Sequence, residues 1–216
     1  MGRQPWDSLA THIAKAGASP EATIPRLKAY AKLLVDWNRA VSNLISRGDE
    51  QRIVERHIAE SIEPAAWLKS SSVNRWLDFG SGAGLPAIPL AIVGVGPRWT
   101  LVESRRMKTL FVKKATEELG LGDLEVVVAR LENMTGDATR RGAYDGFTSR
   151  ATLALGPTLV LAAEFVAPGG LAFLWKGSQR EREMVDDPRW RESWEFDGIL
   201  GIGNGQTVVA RFTRKS

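Results

Sequence analysis

The chain has 216 residues, of which 44% are hydrophobic, and its 29 Lys and Arg residues against 25 Asp and Glu residues give a formal net charge of +4. This length predicts one domain of about 150 residues with an extension, and the hydrophobic share excludes a largely disordered chain. The absence of cysteine excludes disulfides, thiolate metal sites and a cysteine nucleophile, and with only two histidines no metal site is expected.

The mild positive charge permits an acidic partner such as RNA without requiring one. No apolar run approaches the ~20 residues of a membrane-spanning helix, and the first residues lack the apolar core of a signal peptide. We therefore expect a cytoplasmic protein without a membrane partner.

The first third of the chain, residues 1–72, is predicted to be a helical extension. Ser19-Pro20-Glu21 combines a capping hydroxyl, a proline at the first helical position and an acid in the first turn. Apolar residues then recur at three- and four-residue spacing from position 24 to 41, as in an amphipathic helix. A second helix is predicted over residues 50–62, with Pro64 ending or kinking it.

After a predicted linker at Ser70-Ser71-Ser72, strand and helix patterns alternate through residues 73–216. The predicted strands cover residues 75–79, 99–102, 124–128, 146–149, 171–175, 194–199 and 207–212. The predicted helices cover residues 88–93, 107–119, 156–165 and 181–185. Such alternation favours a parallel sheet with helices on both faces. A short glycine connection before the last strand predicts a terminal hairpin and one antiparallel strand.

The first predicted strand runs into a glycine loop that contains Gly80, Gly82 and Gly84. Glycines allow backbone N–H groups to approach a ligand without a Cβ atom in the way, and Pro86 suits the first turn of a helix. A helix N-terminus after such a loop can bind an anion. Ligands of open α/β sheets bind at the carboxyl ends of strands near the topological switch point, where this loop is expected to lie.

Two acids flank the loop and bear on the identity of its ligand. The nicotinamide fingerprint G-x-G-x-x-G is not met, because Leu85 stands where the third glycine is required. Glu103 ends the second predicted strand and is well placed to accept hydrogen bonds from ribose hydroxyls. Asp78 disfavours a neighbouring pyrophosphate and is compatible with an amino-bearing ligand. The presence of both acids, Asp78 and Glu103, favours S-adenosylmethionine as the ligand, with a nicotinamide cofactor as the alternative.

Longer motifs resemble the glucose-inhibited division protein B family. They are residues 78–86 with Ile88-Pro89, residues 56–61 (Arg-His-Ile-Ala-Glu-Ser), Trp37-Asn38 with Asn43-Leu44, Ala129-Arg130-Leu131-Glu132, Thr148-Ser149-Arg150-Ala151 and Trp175-Lys176-Gly177. Members of that family are bacterial methyltransferases that use S-adenosylmethionine to methylate guanine N7 in 16S ribosomal RNA. The motifs span most of the chain, from residue 37 to residue 177.

The resemblance implies a Rossmann-like α/β methyltransferase fold that depends on S-adenosylmethionine. Its seven-stranded, mostly parallel sheet has an antiparallel last strand. Residues 1–72 would form the N-terminal helical extension and residues 73–216 the methyltransferase domain, packed as one compact unit. The cofactor contacts implied by the resemblance are Gly80, Leu85, Leu131, Glu132 and Arg150, with Glu103 at the ribose. The loop pattern adds Asp78, Gly82 and Gly84.

Three departures from the family pattern concern substrate contacts rather than the cofactor site. Glu60 stands where the family usually has Asp. A Lys-Arg pair that often follows the second-strand acid is matched only by Met107-Lys108, after Arg105 and Arg106. The spacing from Trp-Asn to Asn-Leu is one residue longer.

Guanine N7 carries a free lone pair, so its methylation needs no general base, and catalysis is expected to rest mostly on positioning. Arg150, Lys176 and Arg130 are the predicted catalytic residues. Each has an ordinary alternative: Arg150 an ion pair with Asp145, Lys176 a solvated surface position, and Arg130 an ion pair with a nearby acid.

The predicted RNA contacts are Arg56, His57, Arg105, Arg106 and Lys108. The run from position 104 to 114 holds five basic residues and no acid, which fits an RNA-binding strip or a solvated helix face. For His57 a packed core position is the alternative. We expect a monomer whose partner is 16S rRNA or the small ribosomal subunit. A methyltransferase for another RNA or small molecule, and a non-catalytic RNA-binding protein on the same fold, are the alternative functions.

Overall fold

The computed structural model describes residues 5–41 and 43–216; residues 1–4 and 42 of the predicted extension lie outside the described part. A short 3-10 helix (Asp7–Leu9) leads into the N-terminal helices. These are α1 (Ala10–Lys15), α2 (Pro20–Ala40), α3 (Arg47–Glu50), a π-helix (Val54–Ala59), α4 (Glu60–Ile62) and α5 (Ala65–Lys69).

Helix α2 begins where the sequence predicts it. Ser19 Oγ accepts a hydrogen bond from Ala22 N at 3.3 Å, and Pro20 is the first helical residue. Leu27, Tyr30 and Leu34 form the buried face of the helix, at the three- and four-residue spacing of the sequence pattern.

The second predicted helix, over residues 50–62, is not one regular helix. It is divided into α3, the π-helix and α4, and α4 ends before Pro64. Side chains compete for the carbonyls of this segment, because Arg150 Nη2 donates to Arg56 O at 2.7 Å and Ser61 Oγ donates to His57 O at 2.6 Å. Wide π turns of this kind occur frequently at functional sites.

The rest of the chain forms one seven-stranded sheet with helices on both faces. Its strands are β1 (Arg75–Phe79), β2 (Arg98–Glu103), β3 (Leu124–Val128), β4 (Tyr144–Arg150), β5 (Val166–Lys176), β6 (Trp194–Ile202) and β7 (Thr207–Arg214). The intervening α-helices are α6 (Ala87–Ile92), α7 (Arg106–Glu118), α8 (Leu155–Ala162) and α9 (Arg180–Asp186), with 3-10 helices at Leu131–Met134 and Pro188–Glu192.

The strand order is β3-β2-β1-β4-β5-β7-β6. Strands β1 to β5 pair in parallel, and β7 runs antiparallel between β5 and β6. The predicted fold class and the terminal hairpin are confirmed. The direction of winding reverses between β1 and β4, so the loops that follow these two strands meet at the topological switch point.

Two hydrophobic clusters cover the two faces of the sheet. The first joins the N-terminal helices to α6, α7 and one sheet face, and Trp76 stacks there on Trp99 with ring centroids 5.1 Å apart. The second packs α8 and the 3-10 helix Pro188–Glu192 on the other face. The predicted boundary at residues 72 and 73 falls in the turn before β1 and stays a prediction. Within residues 5–41 and 43–216, none of the helices has the length and apolar character needed to span a membrane.

Candidate cofactor and substrate site

The glycine loop (residues 80–85) leaves the carboxyl end of β1 with its amides already bonded inside the protein. Gly80 N donates to Val102 O at 2.9 Å, Gly82 N to Glu103 Oε2 at 3.0 Å, and Gly84 N to Ser81 O at 2.6 Å. All three glycines have positive φ angles, between 56° and 81°. These N–H groups are therefore not free to bind a pyrophosphate, which weakens the prediction of an anion site here and favours a ligand without phosphate.

Glu103, the acid at the end of β2, binds the backbone of the glycine loop. Its Oε2 accepts from Gly82 N, and its Oε1 accepts from Arg105 N at 2.7 Å. A carboxylate offers about four acceptor positions, so two remain for a ligand. The side chain is buried but lines a cleft beside the loop. This is the position expected for an acid that binds ribose hydroxyls.

Asp78, the acid before the loop, does not reach that cleft. Its side chain is fully buried, and Oδ1 accepts from Thr148 Oγ1 at 2.7 Å while Oδ2 has no partner among the described residues. Burial raises the pKa of Asp78 to about 7. The sequence predicts a direct contact of Asp78 with a cofactor, but the buried carboxyl cannot make that contact. It contacts Thr148 of β4 instead.

A first cleft of about 360 Å³ lies between the ends of β1, β2 and β3. Apolar groups from Phe79, Val102 and Leu131 line it together with the carboxylates of Glu103 and Glu132. Gly80 also lines this cleft, whereas Gly82 lines the neighbouring third cleft, where a Cβ atom would lie 3.7 Å from Gly80 O and 3.9 Å from Lys108 Nζ. An adenosine-bearing ligand without phosphate fits this set of apolar, acidic and uncrowded groups.

Two further clefts adjoin the first. A second cleft of about 590 Å³ shares Ala151, Thr152 and Leu153 with it and continues to Arg150 and Lys176. A third, of about 190 Å³, lies against Leu85 on the other side of the loop. Ala151, whose φ of 55° is unusual for a residue other than glycine, lines all three clefts. The turn after β4 is therefore the point at which ligands in neighbouring clefts would meet.

The chain is similar to proteins of known family. The family model "GidB: rRNA small subunit methyltransferase G" matches residues 23–198. A protein of Azoarcus sp. named ribosomal RNA small subunit methyltransferase G is 36% identical over 181 residues, which cover 83% of this chain and 82% of the relative. The chain belongs to the GidB family. A Sorangium cellulosum protein of the same name is 34% identical over 96% of this chain and 87% of its own length.

Solved structures agree on the fold of this GidB member. A SAM-dependent methyltransferase from Aquifex aeolicus superposes with a TM-score of 0.56 at 15% identity, over 79% of this chain and 96% of its own. The N-methyltransferase NodS from Bradyrhizobium japonicum, solved with S-adenosyl-L-homocysteine, gives a TM-score of 0.57 at 15% identity, over 85% of this chain and 99% of its own.

The GidB motif Thr148-Ser149-Arg150-Ala151 joins several parts of the site. Thr148 binds Asp78, and Ser149 Oγ lies 2.5 Å from Thr152 Oγ1. Arg150 Nη2 binds Glu60 Oε2 at 3.0 Å, in place of the ion pair with Asp145 that was the alternative prediction. Burial lowers the pKa of Arg150 and raises that of Glu60, and each charge offsets the effect of burial on the other. Arg150 therefore anchors the π-helix while lining the second and third clefts.

Lys176, at the end of β5, is held by two partners rather than solvated. Its Nζ donates to Leu153 O and to Glu183 Oε2, each at 2.8 Å, and its side chain is only 11% exposed. Its neighbour Trp175 donates from Nε1 to Glu60 O at 2.8 Å. The GidB motif at residues 175–177 thus ties β5 both to the N-terminal helices and to the turn after β4.

His57 is buried in the π-helix between the second and third clefts. Neither ring nitrogen has a hydrogen-bond partner in the described part of the chain. Burial, with Arg150 nearby, lowers the pKa of His57 to about 4, so the imidazole is neutral at pH 7. Arg56 also lines the second cleft, with Nε 3.8 Å from Glu60 Oε1. Both predicted RNA contacts therefore stand at a cleft wall, His57 buried and Arg56 half-buried.

The predicted basic strip lies at the opening of the first cleft. Arg105 and Arg106 are exposed at the start of α7, and Lys108 lines the first and third clefts. Arg130 is exposed on the same cleft, next to Leu131 and Glu132. The structure thus brings Arg105, Lys108 and Arg130 together at the first cleft, with Arg106 exposed beside them, whereas Arg150 and Lys176 line the second cleft.

Two side chains that hold the site were absent from the sequence-based predictions. Tyr30 is an apolar position of α2 by pattern, yet its hydroxyl donates to Ala83 O in the glycine loop at 2.7 Å. A buried tyrosine hydroxyl needs a partner, and this is the signal that could have pointed to a tertiary contact. Glu183 lies in a charged segment where one more acid is inconspicuous, and only the folded chain places it against Lys176.

Proposed function

We propose that this chain transfers the methyl group of S-adenosylmethionine to N7 of a guanine in 16S ribosomal RNA. The observation that carries the proposal is the meeting of the first and second clefts at residues 151–153. A donor bound beside the glycine loop and an acceptor bound beside Lys176 would face each other there. Membership of the GidB family of rRNA small subunit methyltransferases supports rRNA as the acceptor.

The first cleft is the proposed cofactor site. S-adenosylmethionine supplies an activated methyl group on a sulfonium sulfur. Glu103 would accept hydrogen bonds from the ribose hydroxyls through its two unused acceptor positions, and Leu131 with Phe79 would cover the adenine. Glu132 is a further proposed contact in this cleft, and Gly82 and Leu85 are proposed contacts for the part of the cofactor that reaches the third cleft.

The charged groups of the second cleft favour an acceptor that needs no base. Its two carboxylates are both paired, Glu60 with Arg150 and Glu183 with Lys176. His57 is neutral at pH 7 because burial, reinforced by the charge of Arg150, lowers its pKa to about 4, which makes it a weak base. A ring nitrogen with a free lone pair, such as guanine N7, requires no proton transfer before it attacks. Positioning of the two reactants is then the main task of the protein.

The cationic rim supplies the proposed contacts with the RNA backbone. Arg105, Lys108 and Arg130 line the first cleft, and Arg106 is exposed next to Arg105 at the start of α7. Phosphate neutralisation gives such contacts affinity without base specificity. We further propose that the chain acts as a monomer, in the cytoplasm, on the RNA of the small ribosomal subunit. Sedimentation of the purified protein alone would test the monomer.

The deciding experiment uses 16S rRNA from cells that lack this chain, both as naked RNA and in the small subunit. Purified protein and S-adenosylmethionine with a labelled methyl group should yield label that co-migrates with 7-methylguanosine after digestion of the RNA. Label in another nucleoside would replace the guanine-N7 proposal by a different RNA methylation. Binding of both ligands without transfer would support a non-catalytic RNA-binding protein.

A further inference from the structure

We infer that Glu183 is a positioning residue of the acceptor site, which holds the Lys176 ammonium and the turn after β4 in one arrangement. The inference rests on the proposed methyl transfer, and it concerns a residue outside the family motifs quoted above. Its basis is a single carboxylate oxygen: Glu183 Oε2 accepts from Lys176 Nζ at 2.8 Å and from Leu155 N at 2.7 Å.

The contact with Leu155 fixes the end of the turn that separates the first and second clefts. Leu155 is the first residue of α8, so its N–H has no partner within the helix, and a carboxylate there is favoured by the helix dipole. The turn itself spans residues 151–154 and begins with Ala151 in the left-handed region. Glu183 thus restrains a short segment whose backbone conformation is unusual and which lines both clefts.

The contact with Lys176 fixes the position of a charge at the wall of the second cleft. An ammonium has three donors; one goes to Glu183 and one to Leu153 O, which leaves one for a ligand. Guanine presents O6 next to N7 on the same edge, and O6 accepts a hydrogen bond. A lysine held in this way can orient that edge, whereas a mobile lysine would spread its single free donor over many positions.

The location of Glu183 indicates that the contact is not needed to fill the core. Helix α9 has no fully buried residue, and the Glu183 side chain is 24% exposed. The two hydrogen bonds that Glu183 accepts nevertheless connect α9 to Lys176 on β5 and to Leu155 at the start of α8. The apolar packing of α9 comes from another side chain, Met184, so the loss of the Glu183 carboxylate should affect turnover more than folding.

The test compares Glu183→Gln with Glu181→Gln, a matched control on the same helix whose side chain is 83% exposed. Glutamine keeps an acceptor for Leu155 N but loses the charge opposite Lys176. For Glu183→Gln we expect kcat to fall by about 10- to 100-fold, the scale of a small misplacement of reactants. The dissociation constant for S-adenosylmethionine should stay at the wild-type value, and the melting temperature should fall by no more than about 4 °C. Glu181→Gln should match wild type throughout.

A double-mutant cycle decides whether Glu183 acts through Lys176. If it does, Glu183→Gln combined with Lys176→Met should lose no more activity than Lys176→Met alone. Additive losses, or a kcat for Glu183→Gln equal to that of Glu181→Gln, would overturn the inference while leaving the proposed function intact. A wild-type protein that transfers no methyl group to 16S rRNA would instead overturn the proposed function, and the inference with it.

Discussion

Arg150 Nη2 lies 3.0 Å from Glu60 Oε2, and this ion pair connects the carboxyl end of β4 to the N-terminal helices. Both side chains are mostly buried, with 14% and 8% of their surface exposed. Arg150 also donates to Arg56 O at 2.7 Å, so its guanidinium bridges the sheet and the π-helix. The pair therefore governs both the stability of this junction and the shape of the second cleft.

Removal of either Arg150 or Glu60 should lower the stability of the folded protein. Glu60→Ala leaves the Arg150 guanidinium buried without its counter-charge, and we expect a loss of about 3 kcal/mol in the free energy of unfolding. Denaturant unfolding would measure it. Glu55→Ala, at an exposed acid of the adjoining π-helix, is the control and should have little effect. Equal stabilities of the two variants would show that solvent reaches Arg150.

Replacement of Glu103 should weaken cofactor binding. Glu103→Ala leaves Gly82 N and Arg105 N without their acceptor and removes the proposed ribose contact. We expect a loss of at least about tenfold in affinity for S-adenosylmethionine, about 1.4 kcal/mol. Calorimetry would measure it, with Glu117→Ala, an exposed acid on α7, as the control. Unchanged affinity would place the cofactor elsewhere.

A side chain at position 82 should block the cofactor. Gly82→Val introduces strain at a φ of 56° and also fills the space that opens towards Lys108. Gly142→Val introduces comparable strain at a φ of 57°, with no atom within 4 Å of the added Cβ. Both variants should lose stability, but only Gly82→Val should lose binding of S-adenosylmethionine. Binding retained by folded Gly82→Val would contradict a cofactor that contacts the glycine loop on the side of the third cleft.

Lys108 should contribute to RNA binding through phosphate neutralisation. Lys108→Ala should weaken affinity for 16S rRNA and reduce the slope of log K against log salt by about 0.7 to 0.9, the value of one phosphate contact. Filter binding over a series of salt concentrations would measure the slope. Lys28→Ala, exposed on α2, serves as the control. An unaltered slope for Lys108→Ala would make the basic run a solvated helix face.

Asp78 should make the protein less stable as the pH rises. Its pKa is about 7 in the folded chain and near 3.8 in the unfolded chain, so between these values the folded state holds the extra proton. Stability contributed by the neutral carboxyl is complete below about pH 4 and is lost as the pH rises towards 7. His57, with a folded pKa of about 4 against 6.5 unfolded, gives the opposite slope between pH 4 and 6.5.

The variant Asp78→Asn isolates the aspartate, because His57 is present in both proteins and its effect cancels in their difference. We expect the stability of Asp78→Asn relative to wild type to increase from pH 4 to pH 8. Asparagine Oδ1 can still accept from Thr148, so the local hydrogen bond is retained. Parallel stability curves would show that Asp78 titrates normally.

Local patterns were sufficient to predict the sheet. Each predicted strand lies inside an observed strand, because buried β-strands are short apolar runs bounded by turn residues. The predictions were less accurate where tertiary contacts act on the backbone. The Arg150 side chain donates to the Arg56 carbonyl across 94 residues, and no local pattern in residues 50–62 could have indicated this contact.

The candidate site was predictable as a set of residues but not as a set of contacts. Glycine spacing located the loop, and Glu103 was recognised from its place at the end of a strand. The sequence could not reveal that Glu103 also accepts hydrogen bonds from the Gly82 and Arg105 amides. Nor could it reveal that Asp78 is buried and accepts a hydrogen bond from Thr148. Such features depend on which strands become neighbours, and neighbouring strands here are distant in the chain.

The hydrogen bond from Tyr30 to Ala83 O has a consequence for protein engineering. A helix of the first forty residues supports the loop at which the methyl donor is proposed to bind. Chimeras that exchange the N-terminal helices between relatives would therefore have to preserve a hydroxyl within reach of that carbonyl. Grafting the sheet alone onto another substrate-recognition module would leave the donor loop without one of its supports.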